Sequence, residues 1–246
     1  MIETKDLSKQ FNHDFWAVDG VTLTVQPGEI LALLGQNGAG KTTTVRMLTA
    51  LLKPTRGWAR VGGYDITRNP QEIRSKVGVL TEQHGLYMRM SGEEYLDFFG
   101  EVYGLEPKLR KSRSNYLLEY FGLTEAARKR SGEYSKGMKQ KLAIACGLLH
   151  GPQVLFFDEP LTGLDPLGIR RMKNSIIKRA RDGATIVLSS HLLHLLEEVC
   201  THVLILKQGE KIADGTIAEV AARFSNGDVN VNLEEVFIRA TGGTES

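Results

Sequence analysis

The sequence predicts an α/β fold: a mostly parallel sheet core, an antiparallel β subdomain ahead of it, and an inserted helical subdomain. Three observations predict it. Residues up to about 34 alternate apolar and polar in short runs, as strands of an antiparallel sheet do. Wholly apolar runs of four or five residues then alternate with helical patterns, as in a parallel sheet buried on both faces. Between residues 84 and 151 the pattern is helical only, with no strand signal.

Taken in order, Val21-Thr-Leu-Thr-Val25 is the clearest alternating strand, and Pro27-Gly28 turns the chain into a buried strand at 29–34. A helix is expected over 41–52, stopped by Pro54. Trp58-Ala-Arg-Val61 precedes the turn Gly62-Gly63, and Val77-Gly-Val-Leu80 is a second buried strand that ends in Thr81-Glu82-Gln83. In the helical block Tyr95, Phe98, Phe99, Val102 and Tyr103 share one face, and Leu117, Leu118 and Phe121 another. Ser135 is placed to cap a helix. Strands resume at 154–157, 185–188 and 203–206, the last two separated by a helix at about 192–200. These elements divide the chain into a core of 1–83 and 154–224, a helical subdomain of 84–153, and a loosely held tail of 225–246. Within that tail Val229, Val231, Leu233, Val236 and Phe237 suit a small docking strand and helix turn.

Two segments carry chemistry. GQNGAGKTT at 35–43 follows a buried strand and opens a helix, and fits G-x-x-x-x-G-K-[ST] at Gly35, Gly40, Lys41 and Thr42. Its glycines let backbone N–H groups wrap a phosphate, the helix start adds partial positive charge, and Lys41 adds a full one. Thr42 would bring a hydroxyl to Mg²⁺. This makes the core a P-loop NTPase. The other segment, Val154-Leu-Phe-Phe-Asp-Glu-Pro160, delivers two adjacent carboxylates, Asp158 and Glu159, to the exposed end of a buried strand. Paired acids there suit a metal and a base, and neighbouring carboxylates near a cation need not share one pKa.

Composition bounds the other classes. Lys plus Arg number 31 against 29 for Asp plus Glu, so a net charge of +2 among 246 residues gives no bulk-charge case for nucleic acid. Cys146 and Cys200 lack a C-x-x-C partner and are expected to be small buried residues in a reducing compartment. No 18-residue apolar run and no apolar signal-peptide core are present, so a cytosolic chain that does not itself span a membrane is expected. His13, His84, His150, His194 and His202 show no metal-ligand spacing and are expected at surface or satisfied helix positions. No N-K-x-D guanine reader is present, which sets a GTPase aside.

The P-loop, Gln83 at a strand end, YSKGM at 134–138, FFDEP at 156–160, Leu164-Asp165 and His191 form an ordered set spanning nearly the whole chain. That set resembles the ATP-binding subunit of ABC transporters. The resemblance assigns Gly35, Asn37, Gly38, Ala39, Gly40, Lys41, Thr42 and Thr43 to ATP phosphates and Mg²⁺. It makes Asp158 and Gln83 further Mg²⁺ groups, Glu159 the base that orients or deprotonates the attacking water, and Gln83 and His191 its companions at the γ-phosphate. Ser135 and Gly137 would face the ATP held by a second ATP-binding subunit. Asp165 would cross that interface, or cap the helix after Pro166. For adenine the resemblance points to Phe11, with Phe15 and Trp16 competing. It also implies RecA-like core topology, a transmembrane permease partner, a place on the cytoplasmic face of the membrane, and no nucleic acid. Tyr134, Lys136 and Met138 depart from the usual LSGGQ signature. The YS-x-GM spelling and the tail LEEVFIRATGG resemble bacterial exporter ATPases of the ABC-2 or drug-exporter type. Leu86, Tyr87 and Met88 are either a docking surface for that partner or helical core. The alternative function is a soluble ABC ATPase without a membrane partner, a translation factor or assembly machine.

Overall fold

The computed structural model describes residues 1–12, 14–81, 85–225 and 231–242. The chain opens with β1 (Ile2–Phe11) and β2 (Phe15–Val25), an antiparallel hairpin paired from Ile2 with Val25 to Phe11 with Phe15. The buried strand β3 (Ile30–Leu34) leads into α1 (Lys41–Leu48). Beyond them lie β4 (Arg56–Val61), the short β5 (Tyr64–Asp65), α2 (Pro70–Lys76) and β6 (Val77–Leu80). The helical block holds α3 (Gly92–Val102), α4 (Pro107–Tyr120) and α5 (Lys136–Leu148). β7 (Val154–Asp158), α6 (Pro166–Arg181), β8 (Thr185–Ser189), α7 (Leu193–Glu197) and β9 (His202–Lys207) return to the sheet. β10 (Glu210–Thr216), α8 (Ile217–Phe224) and α9 (Leu233–Thr241) follow.

Two sheets result. β2-β1-β4-β5 is antiparallel, and β10-β9-β3-β8-β7-β6 is parallel except for its edge pair β9–β10. Alternation along the parallel strands splits their side chains between two apolar clusters. Leu31, Leu33, Phe156, Val187, Leu204 and Leu206 face the antiparallel sheet, packing with Ile2, Leu7, Val18 and Val21. On the opposite face Ala32, Leu155, Phe157, Ile186 and Ile205 join Leu142 and Ile144 of α5 and Met172 and Ile176 of α6. Each fully buried Leu or Phe there contributes ~1.5–3 kcal/mol of transfer free energy. Both faces of the sheet are covered, so its parallel strands are largely apolar, and what chemistry they carry is confined to their ends.

Several expectations are corrected. α1 ends at Leu48, not at 52, because the Thr49 hydroxyl turns back to Val45 O (2.9 Å), Ala50 takes φ 56°, and the Leu51 and Leu52 N–H groups both bond Arg46 O. α3 buries Tyr95, Leu96 and Gly100, while Phe98 and Val102, expected to share a face with Tyr95, are exposed. A capping box fixes its start: Ser91 Oγ accepts from the Glu94 N–H (3.2 Å) and Glu94 Oε2 from the Ser91 N–H (2.8 Å). β10 was not foreseen, because its sequence EKIADGT has little apolar content and lies at a sheet edge. The tail also differs from expectation: α9 starts on an Asn232 cap and buries Leu233 and Val236 in the larger cluster. Val229 lies outside the described residues. Cys200 is buried and Cys146 partly so.

His150 is not a surface residue. Its ring stacks on Tyr103 with centroids 3.8 Å apart, and its Nε2 lies 3.1 Å from Val77 O. Burial lowers its pKa from 6.5 to about 4, helped by Arg113 and Arg179 and opposed by the Val77 carbonyl. The folded state therefore keeps a neutral ring while the unfolded chain takes up a proton below pH 6.5. This contribution to stability is complete above about pH 6.5 and is lost as pH falls toward 4, up to ~3 kcal/mol. Replacing His150→Phe keeps a stacked ring without the titration, so its urea-unfolding free energy should fall less than wild type between pH 6.5 and 4.

Candidate nucleotide site

The carboxyl ends of β3, β7 and β8 lie side by side, because β3 pairs in parallel with β8 and β8 with β7. Ligands of open α/β sheets bind beyond that edge. From β3 the chain turns at Gly35 into the P-loop. A side chain at Gly35 would meet Leu206 O at 2.7 Å, and one at Gly40, whose φ is +103°, would meet Ala17 O at 2.4 Å. Both positions therefore require glycine. Lys41, first residue of α1, donates from Nζ to Gly35 O (2.5 Å) and Gln36 O (3.2 Å). Burial lowers its pKa, opposed by Asp158 and Glu159, so the ammonium and both acids share one electrostatic environment. Phe11, Phe15, the loop 36–43, Asp158, Glu159 and His191 enclose a cavity of about 250 Å³.

The two acids are held differently. Asp158 Oδ1 accepts from Ser189 Oγ at 2.5 Å, the residue opposite it in the β7–β8 register, and no other hydrogen bond to that carboxylate is made among the described residues. Glu159 adopts φ 51°, a left-handed conformation that costs a non-glycine residue of order 1–3 kcal/mol and is found mainly where neighbours impose it. Its N–H donates to Ser189 O (2.9 Å), and its O accepts from Gln140 Nε2 (3.0 Å). Its carboxylate takes three donors: the His191 N–H to Oε1 (2.8 Å), and the Ser190 and Thr162 hydroxyls to Oε2 (2.9 and 3.0 Å). The side chain is 13% exposed, whereas His191, with Nε2 3.5 Å from Glu159 Oε1, is 71% exposed. His191 thus orients the acid with its backbone and leaves its imidazole facing outward.

A family model described as ABC transporter matches residues 18–162. The chain belongs to the ABC transporter family. It is 38% identical over 243 residues to the ABC transporter ATP-binding protein NatA of Bacillus subtilis, covering 97% of this chain and 99% of that one. It is 38% identical over 215 residues to the bacitracin transport ATP-binding protein BcrA of Bacillus licheniformis, with 87% and 69% covered. The solved ATP-binding subunit of an ABC transporter superposes with a TM-score of 0.91 at 33% identity, covering 98% and 99%. A dimeric ATP-binding cassette in a post-hydrolysis state, bound to ADP and phosphate, shares the fold with a TM-score of 0.78 at 23% identity, covering 88% and 99%.

In this ABC subunit the sequence-predicted residues fall into two groups. The P-loop, Asp158, Glu159, His191 and Phe11 surround one cavity. Phe15 lines it too, whereas Trp16 does not, its ring lying 4.9 Å from the Arg56 guanidinium carbon. Ser135, Gly137 and Asp165 are not part of that lining. Ser135 is exposed at the N-cap of α5 and accepts from the Met138 N–H (3.2 Å). Asp165 sits at the N-cap position of α6 but makes no side-chain cap bond. It pairs instead with Lys141 Nζ (2.7 Å), whose hydrogen bond holds its carboxyl below the usual range. Gln83 lies outside the described residues. Sequence reasoning missed Gln36, Gln140, Thr162, Ser189 and Ser190 as site-building residues; only the Ser189-Ser190 pair beside His191 signalled itself.

Replacing Gly40→Ala should weaken ATP binding at least about tenfold, because a methyl group cannot share the space of Ala17 O and left-handed backbone disfavours alanine. Titration calorimetry gives the Kd; an unchanged value would show that this packing does not shape the phosphate loop.

Proposed function

We propose that this chain binds and hydrolyses ATP to drive a separate membrane-spanning permease, and that it works as a dimer of ATP-binding subunits. The observation that carries the reading is the Glu159 carboxylate, fixed by three donors beside a P-loop lysine while Ser135 stands away from that cavity. Among the described residues no helix is long and apolar enough to cross a membrane. Exposed Tyr87, Met88 and Phe98 offer apolar surface on the helical block for the permease. Leu86 is buried and belongs to the core. Relatives described as bacitracin transport and daunorubicin resistance ATP-binding proteins support export as the direction. On this reading the subunit sits at the cytoplasmic face of the membrane.

The donor set suits Mg²⁺ carried by the nucleotide. Among the described residues no cluster of three His, Cys, Asp or Glu side chains is assembled for a metal. A Thr42 hydroxyl and one Asp158 carboxylate are what a cation already bound by phosphate oxygens requires. When bound, Mg²⁺ would neutralise charge developing on the phosphates. P-loop N–H groups and Lys41 hold the β and γ phosphates, and Phe11 or Phe15 stacks on adenine. Glu159 orients a water for in-line attack on the γ-phosphorus and takes its proton as the bond to the β–γ bridging oxygen breaks, leaving ADP and phosphate. His191 presents its imidazole to the γ-phosphate, and Gln83, outside the described residues, would serve the same water and Mg²⁺. Ser135 and Gly137 reach the ATP of the second subunit, with the α5 N-terminus adding partial positive charge, and Asp165 approaches its P-loop.

The test is Glu159→Gln, which keeps the shape and the Ser190, Thr162 and His191 contacts open while removing the base. Turnover should fall about 10²–10⁴-fold, with ATP affinity retained and an ATP-bound dimer accumulating in sedimentation. Undiminished turnover would remove Glu159 from the role of base.

A further inference from the structure

Gln140 carries no catalytic or binding role above, yet it is 5% exposed in a helix that buries Leu142, Ala143, Ile144 and Ala145 just beyond it. A buried amide is costly unless it is hydrogen-bonded. Gln140 Nε2 donates 3.0 Å to the backbone oxygen of Glu159, which also accepts the Thr162 N–H at a longer 3.3 Å. Because the Glu159 N–H is tied to Ser189 O, the peptide groups on either side of this left-handed residue are gripped from two elements, β8 and α5. Neither grip alone sets both φ and ψ. The same part of α5 meets the loop after Glu159 twice more. A side chain at Gly137 would stand 2.7 Å from Gly163 O, and Lys141 Nζ pairs with Asp165 at 2.7 Å. The first two turns of α5 therefore lie against residues 159–165 by one close backbone approach, one ion pair and one buried amide.

We infer that Gln140 is a positioning residue: it holds Glu159 in its left-handed backbone conformation, so the carboxylate is aligned only while α5 is seated on the 159–165 loop. The inference rests on Glu159 being the base. It has a directional consequence. Ser135 at the start of α5 addresses the other subunit's nucleotide, whereas Gln140, five residues or ~7.5 Å along the same rigid helix, governs this subunit's own Glu159. A shift of α5 produced at one nucleotide is thereby felt at the acid that cleaves the other.

A mixed dimer separates the two ends of the helix. One chain carries Lys41→Ala and the other Ser135→Arg, so the pair keeps one complete site, built from the P-loop and Glu159 of the Ser135→Arg chain and the Ser135 of the Lys41→Ala chain. Gln140→Met, which keeps length and apolar packing but removes the donor, is placed in either chain in turn. In the Ser135→Arg chain it should lower kcat roughly tenfold or more, since small misplacements of a catalytic group are that costly, with KM for ATP within about twofold. That loss should exceed the loss from the same change in the Lys41→Ala chain by at least about tenfold. Equal losses, or a larger one in the Lys41→Ala chain, would mean that Gln140 serves Ser135 or general folding, and would overturn the inference. Gln140→Glu, whose carboxylate cannot donate to a carbonyl, should show the same asymmetry and serves if the methionine variant does not fold. Glu159→Gln in the Ser135→Arg chain is the companion measurement. If turnover survives it, the base assignment fails; if turnover is abolished while Gln140→Met in that chain has no effect, the inference alone fails.

Discussion

The pairing of β7 with β8, which sets Asp158 opposite Ser189, is the constraint on which the site depends. It places the hydroxyl of Ser189 on the Asp158 carboxylate, and it brings the next residues of both strands together so that Ser190 and the His191 N–H close on Glu159. A slip of one residue would exchange the two faces of β7 and carry Phe157 into the wrong cluster. The apolar cores on both sides of the sheet thus enforce the register that aims the acids. Energy from burial is spent far from the chemistry but decides its geometry.

The P-loop is built by the same edge. β3 lies between β8 and β9, and Gly35 can turn under the loop only because it has no side chain to strike Leu206 O. Lys41 then reaches back over the loop carbonyls within the field of Asp158 and Glu159. Ser135, by contrast, caps a helix that packs in the larger apolar cluster, and it is not among the residues that line that cavity. A single chain therefore lines the cradle with its own P-loop and acids and leaves the helix N-cap outside that lining. On the proposed reading both halves surround a γ-phosphate, and the split between them would be the physical reason for a dimer.

Local patterns made much of this legible. The P-loop, the strand ending in Asp158-Glu159 and the Ser135 cap are each written in contiguous residues whose types dictate their geometry. What escaped depends on distant pairing. Ser189 and Ser190 become partners of the acids across a separation of 31 residues, and Gln140 looks like any polar residue on a helix until α5 is seated on the loop. α9 was hard to distinguish from a frayed terminus because its capping residues, Asn232 and Gly242, are equally at home in loops. Asp165 shows a related limit: an Asp before Pro usually caps the helix, but Lys141 from another helix takes its carboxylate. Phe11 and Phe15 end paired strands and line the same cavity, so order along the chain could not choose between them.

The split of the site can be measured directly by a disulfide between subunits. Asn37 lies exposed in the P-loop and Ser135 exposed at the N-cap of α5, so Asn37→Cys and Ser135→Cys place thiols on the two halves. The native thiols do not compete, since burial pushes the pKa of Cys146 up to about 12 and that of Cys200 higher still. With Glu159→Gln present to retain nucleotide, mild oxidation should give a covalent dimer of two chains that forms with MgATP and not without it. No interchain disulfide in the presence of MgATP, or closure within one chain, would contradict the account.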